Sequence, residues 1–190
     1  MRTDISSRES GFTILESAVV VLVVGAVIAF ATPKIANALR EYRLNIAMRQ
    51  MADLVHRVKM QAVSDNRKAS LVVDTFNNRM GIVTYDLSGN VVSTNYAPLP
   101  LGVRFATPQG VNAPVSGAPT GQAVSFPLQD GSTTIFKQDF NSRGFPVVNA
   151  GAINAVYLTN GNTYRAVTMN SVSATTIFRW EGDQWVDFRR

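Results

Sequence analysis

The chain has 190 residues, of which 46% are hydrophobic, no cysteine, and a formal net charge of +5. That length holds one domain with an appendage but not two full domains. The missing cysteines exclude disulfides, thiolate nucleophiles and Cys-ligated metals. The charge does not mark the C-terminal part as a nucleic-acid binder, because residues 34–68 carry eight Lys/Arg against three Asp/Glu, whereas residues 69–190 carry eight against seven.

In chain order, residues 1–11 are short and polar. Phe12 to Ala31 then form a run of about 20 residues, long enough to cross a hydrocarbon core as a helix, and Glu16 is its only charge. The run continues into more helix, without an obvious site such as A-x-A followed by a break, so a retained membrane helix is expected rather than an ordinary secretory signal. Pro33 follows, where loss of one N–H donor predicts a kink or loosening. Beyond it, Ile35, Ala38, Leu39, Tyr42, Ile46, Met51, Leu54, Val55, Val58 and Ala62 recur mostly at three- and four-residue spacings. Arg40, Arg43, Asp53 and Arg57 fall between them, which predicts an amphipathic helix with a basic opposite face. One long helix is expected from Phe12 to Ser64, roughly 80 Å at the helical rise.

After Lys68 the pattern becomes strand-like. Strands are expected over Ala69–Asp74, Arg79–Tyr85, Val91–Asn95, Val103–Ala106, Ala123–Leu128, Thr134–Phe140, Ala155–Thr159, Tyr164–Met169, Thr175–Trp180 and Gln184–Phe188. Asn160-Gly161 signals a type I′ hairpin, and Asp86–Asn90 and Glu181–Asp183 further hairpin loops. Pro108–Gln122 is rich in Gly and Pro and reads as a long surface loop. The fold class is therefore α+β: a long N-terminal helix, half transmembrane and half amphipathic, packed by its apolar face from Ile35 to Ala62 against an antiparallel β head.

Glu16 carries the sharpest functional signal. An acid in hydrocarbon costs several kcal/mol unless paired or protonated, so it marks a functional position by default. The plainer reading is a carboxylate near the membrane interface that snorkels out.

The junction Gly11-Phe12-Thr13-Ile14-Leu15-Glu16 closely resembles the type III signal sequence of type IV prepilins, with Ile14-Leu15 in place of the commoner Leu-Ile. The resemblance implies that a membrane aspartyl peptidase cuts between Gly11 and Phe12 and methylates the new Phe12 amine. It also implies that Glu16 docks onto the amine of a neighbouring subunit, and that Pro33 takes the place of a proline many pilins carry. The segments implied are a leader (1–11), a transmembrane or filament-core helix (12–33), an amphipathic spine helix (34–68) and a β-rich head (69–190). The positive-inside rule alone would put that head in the cytoplasm, since Lys34, Arg40, Arg43 and Arg49 outnumber Arg2 and Arg8. The resemblance implies the opposite, a single-pass inner-membrane protein with a periplasmic head, because the peptidase reaches Gly11 from the cytoplasmic side.

Farther along, Phe140-Asn-Ser-Arg-Gly144, the hairpin Ala155–Arg165 and Ala166-Val167-Thr168 resemble the GspH/FimT family of minor pilins and pseudopilins, which implies a head of two small sheets. Some members hold DNA with a Gly-Arg turn. The corresponding stretch here, Ser171–Arg179, has none.

The expected function is thus a minor pilin or pseudopilin that primes or caps a type IV pilus or a type II secretion pseudopilus. Its expected partners are other pilin or pseudopilin subunits, the prepilin peptidase and the inner membrane. A DNA-binding pilin for DNA uptake and an ordinary single-pass protein with a β domain are the alternatives. No enzyme, metal or cofactor is expected: there is no phosphate loop, nucleophile elbow, metal-ligand spacing or dinucleotide fingerprint. His56 lacks convergent partners, and Asp130, Asp139, Glu181 and Asp183 are expected to solvate turns. Phe178 and Trp180 at alternating positions, with Trp185 across a hairpin, read as core.

Overall fold

A computed structural model of the chain describes residues 13–107, 112–148 and 153–188. Among the described residues, one helix, α1 (Ile14–Ser64), precedes nine strands. These are β1 (Ala69–Asp74), β2 (Arg79–Tyr85), β3 (Val91–Pro98), β4 (Arg104–Phe105), β5 (Ile135–Phe140), β6 (Asn154–Thr159), β7 (Tyr164–Met169), β8 (Thr175–Glu181) and β9 (Gln184–Asp187). They form two antiparallel sheets, a four-stranded one ordered β3-β2-β1-β5 and a five-stranded one ordered β4-β6-β7-β8-β9. The chain divides into two compact units, Met1–Leu39 and Arg40–Arg190. The α+β class and the two-sheet head are as expected.

α1 stops without a glycine. Asn66 takes a left-handed φ of 49°. Its N–H donates to the Val63 carbonyl and that of Arg67 to the Ala62 carbonyl, the bond pair of a Schellman cap. In the second unit α1 buries Leu44, Ala47, Met48, Met51, Val55, Val58 and Ala62. These join one core with Leu71, Val73, Met80 and Phe140 of the first sheet and Val156, Leu158, Val167 and Met169 of the second.

The expected apolar face needs correction. Ile35, Ala38, Leu39 and Tyr42 are exposed and Ile46 only half-buried, while Leu44, Ala47 and Met48 do the packing. At 100° per residue, Ile35, Leu39, Tyr42 and Ile46 fall roughly 130–170° around the helix from the mean direction of the buried set. These are two apolar stripes, not one.

Three strand expectations, Ala69–Asp74, Arg79–Tyr85 and Tyr164–Met169, match to the residue. Ala123–Leu128 is no strand. Val124 bridges Val156 of β6, and Leu128 bridges Phe136 of β5, so this stretch crosses from one sheet to the other. Pro127 has no N–H for a ladder, although its carbonyl accepts from Lys137 N at 2.8 Å. The sheets are also joined by buried amides: Asn154 Nδ2 donates to Gln138 Oε1 at 2.8 Å, and Gln138 Nε2 donates to the carbonyls of Asp139 and Val147. The Asn160-Gly161 hairpin has a four-residue loop rather than a two-residue type I′ turn. Only Gly161 has positive φ there, and Asn160 Oδ1 accepts from the N–H groups of Asn162 and Thr163.

Candidate functional site

The first unit is described from Thr13 onward; Gly11 and Phe12, the expected cleavage and methylation positions, lie outside the described residues. Thr13 caps α1: its Oγ1 accepts the Glu16 N–H at 3.2 Å, and its carbonyl accepts the Ser17 N–H at 3.1 Å. Thr13-x-x-Glu16 is a capping-box sequence, a signal present in the chain itself. Glu16 therefore stands in the first turn of α1, where the helix dipole favours a negative charge.

From Thr13 to Phe30 every residue is exposed, with Ile14 at 91% and Phe30 at 77%. This part of α1 is long and apolar enough to cross a membrane. Uninterrupted apolar exposure on this scale is not the surface of a soluble unit. Helical structure continues through Pro33. The ring removes the donor that would serve the Ala29 carbonyl, while the preceding Ile28 carbonyl takes the Thr32 hydroxyl at 2.7 Å.

In the second unit, an acid on α1 holds the β6–β7 hairpin. Glu41 Oε2 accepts from Arg165 Nη2 at 2.9 Å. Its Oε1 accepts from Thr163 Oγ1 at 2.9 Å and Asn160 Nδ2 at 3.3 Å. Arg165 is only 7% exposed and sits in register with Arg179 on β8. Burial pulls the Arg165 guanidinium below its ordinary value; Glu41 counters this, and Arg179 adds to it. Arg179 is itself 2.8 Å from Glu181. The order Glu41, Arg165, Arg179, Glu181 thus places an acid at each end of a like-charged pair. No local pattern could have found Glu41, whose partners lie more than a hundred residues away in sequence.

The family-like turn Asn141–Phe145 is tight, with Asn141 Oδ1 accepting from the N–H groups of Arg143 and Phe145. Gly144 has a φ of 77°, and a Cβ there would stand 3.1 Å from Val63 Cγ2 of α1. Its carbonyl accepts the Ser173 hydroxyl at 2.9 Å.

The remaining candidates divide. His56 is exposed on α1. Asp139 is not a turn residue: it lies within β5, accepting from Ser70 Oγ at 2.5 Å with Lys137 and Lys68 nearby. Phe178, Tyr157 and Trp185 pack together, Trp185 lying edge-on to Trp180 across the β8–β9 hairpin at 5.2 Å. Phe188 instead packs against the main core. Of the Pro108–Gln122 loop, residues 108–111 lie outside the described residues. The remainder is irregular but pinned: Trp185 Nε1 donates to the Asn112 carbonyl and the Tyr157 hydroxyl to that of Pro119. Among the described residues, no group of three His, Asp or Glu side chains is arranged to hold a metal ion.

The chain is similar to two solved structures. One is the minor pseudopilin EpsH from the type 2 secretion system of Vibrio cholerae, 10% identical, covering 72% of this chain and 97% of its own, with a TM-score of 0.45. The other is the type IV minor pilin FimU of Pseudomonas aeruginosa, 12% identical, covering 77% of this chain and 94% of its own, with a TM-score of 0.47. No protein-family model and no curated protein matches the chain. At identities this low, function has to be argued from the chain's own residues.

Proposed function

We propose that the chain is a non-enzymatic structural subunit of a type IV pilus or a type II secretion pseudopilus, a minor pilin or pseudopilin that primes or caps the filament. The observation carrying this reading is the fully exposed apolar stretch from Thr13 to Phe30 with one acid, Glu16, in its first turn. Such a surface needs lipid before assembly and neighbouring helices after it. In this reading residues 1–11 are a cytoplasmic leader, 12–33 the membrane and filament helix with Pro33 as its kink, 34–68 the spine and 69–190 a periplasmic head.

Cleavage after Gly11 frees an amine on Phe12, one residue before the Thr13 cap, and N-methylation leaves it basic. That amine and the Glu16 carboxylate of the next subunit are each costly in hydrocarbon, and pairing offsets both costs while setting the axial register. An uncharged contact would not discriminate between registers in this way. Arg165 and Arg179 face Glu41 and Glu181 rather than standing free for phosphates, so these two arginines do not favour the DNA-uptake alternative.

Replacing Glu16 by Ala tests the reading, with filament incorporation and leader cleavage measured together. The expected result is a cleaved, folded, membrane-held subunit whose share in filaments falls about tenfold, equivalent to about 1.4 kcal/mol. Incorporation at the wild-type level would refute the pairing.

A further inference from the structure

We propose that the outer edge of β3 is a docking site for an extended segment of a partner chain, one with apolar side chains on one face and carboxylates on the other, which adds to the four-stranded sheet as a fifth strand. The proposal does not rest on the filament reading and concerns the second unit alone.

The phase of the ladder shows which groups are free. Leu99 N donates to the Asn78 carbonyl at 2.9 Å, in register with Arg79↔Pro98. Bonded pairs alternate in an antiparallel ladder, so Met80–Ala97, Ile82–Asn95 and Thr84–Ser93 are bonded next. The N–H and C=O groups of Thr94 and Tyr96 then point away from β2, out of the sheet. Pro98 occupies the same phase, where a proline's missing N–H costs nothing.

The other edge of this sheet is covered. Gln129 N and Lys137 N exchange bonds with β5 and the crossing stretch, and Val147 N donates to Asp139. Natural sheets protect an open edge with charge, shortness, proline or bulges, and in β3 the proline, Pro98, stands at the end of the strand, beyond Thr94 to Tyr96. β3 has eight residues and no charged one, with exposed valines at Val91 and Val92. Its one irregularity lies at the Val91–Ser93 end and leaves Thr94 to Tyr96 regular.

Both flanks of the edge are hollow, so side chains of an added strand have somewhere to go on each face. On the α1 side, a groove of about 550 Å³ is walled by Leu54, Arg57 and Met60 and floored by Ile82, Asn95 and Ala97. On the other, a hollow of about 160 Å³ includes Val83, Val91, Tyr96 and Lys137. Among the described residues, Lys137 is the one charged group lining the hollow, Arg57 the one charged group of the otherwise largely apolar groove, and no carboxylate lines either, so the hollow takes the acidic face of an added strand and the groove its apolar face. Arg57 has Asp53 at 2.8 Å and Lys137 has Asp139 at 3.6 Å, but such partly exposed pairs are weak enough to exchange partners.

The test is amide exchange on the full chain in detergent micelles, with and without a capped nine-residue peptide carrying valine on one face and threonine or glutamate on the other. Exchange at Thr94 and Tyr96 should slow about tenfold or more when the peptide is saturating, and a peptide with lysine for glutamate should bind at least about fivefold more weakly. Thr94→Pro, which removes one outward donor, should weaken the peptide about tenfold while β1–β2 amides stay protected. Should that variant unfold, wild-type exchange alone decides. The proposal is overturned if neither amide slows at millimolar peptide, or if the lysine peptide binds equally well. Concentration-dependent protection without peptide would assign the edge to a second copy of this chain, and that too would overturn it.

Discussion

Removing the Glu41 carboxylate, as in Glu41→Ala, should unseat the β6–β7 hairpin from α1. Three donors converge on that carboxylate, at 2.9, 2.9 and 3.3 Å. Without it, Arg165 remains buried with Arg179 opposite and no acid on α1 to balance it. Breaking a fully buried pair costs ~3–5 kcal/mol. The Glu41 side chain is 37% exposed, so solvent screening lowers the expected loss to about 2 kcal/mol. For a chain of this size that is a fall in Tm of about 4–8 °C. Near-UV circular dichroism of the full chain in detergent reads it, since Trp180 and Trp185 belong to the same sheet as the hairpin. A double-mutant cycle with Arg165→Met separates the pair from general damage. Removing both partners leaves no lone charge, so the double variant should be less destabilised than the sum of the singles by about 1 kcal/mol or more. A Tm drop below about 1 °C for the single variant, or strict additivity in the cycle, would refute the reasoning.

Gly81→Ala should also destabilise the head, because a Cβ there would lie 2.2 Å from the backbone oxygen of Asn95 and force β3 to shift. A loss of ~1–3 kcal/mol is expected, read as a lower denaturation midpoint with an unchanged slope. For Asp74, burial pushes the carboxyl up, but hydrogen bonds from the Asn77 side chain and backbone and from Arg79 outweigh it and hold it below the ordinary 3.8. A folded-state value below the unfolded one gives stability that is present above about pH 4 and lost as pH falls through the folded value. Asp74→Asn should therefore flatten the acid limb of the stability–pH curve; an unchanged limb would count against it.

The strands that could be read to the residue are short runs of apolar and β-branched residues between clear turns, such as Ala69–Asp74 and Tyr164–Met169. Ala123–Leu128 is likewise a short, largely apolar run, although Pro127 interrupts it. Its two ends pair with different sheets, and that is a tertiary fact no window of sequence contains. α1 was legible as a helix because period and length agree, yet its buried face was misread where one apolar stripe gives way to another on the opposite side. Thr13 was readable as a cap from the spacing to Glu16 alone. Glu41 was not, since a charged residue on a helix is ordinarily a solvated one, and only the return of the chain at Asn160–Arg165 makes it a clamp.

In the proposed function, the apolar helix begins life behind a short polar leader and works only after losing it. The measurement is intact-mass and N-terminal fragment analysis of the protein taken from its native membranes and filaments. The proposed function predicts a polypeptide that starts at N-methylated Phe12, without residues 1–11. A filament-bound chain still beginning at Met1 would contradict it.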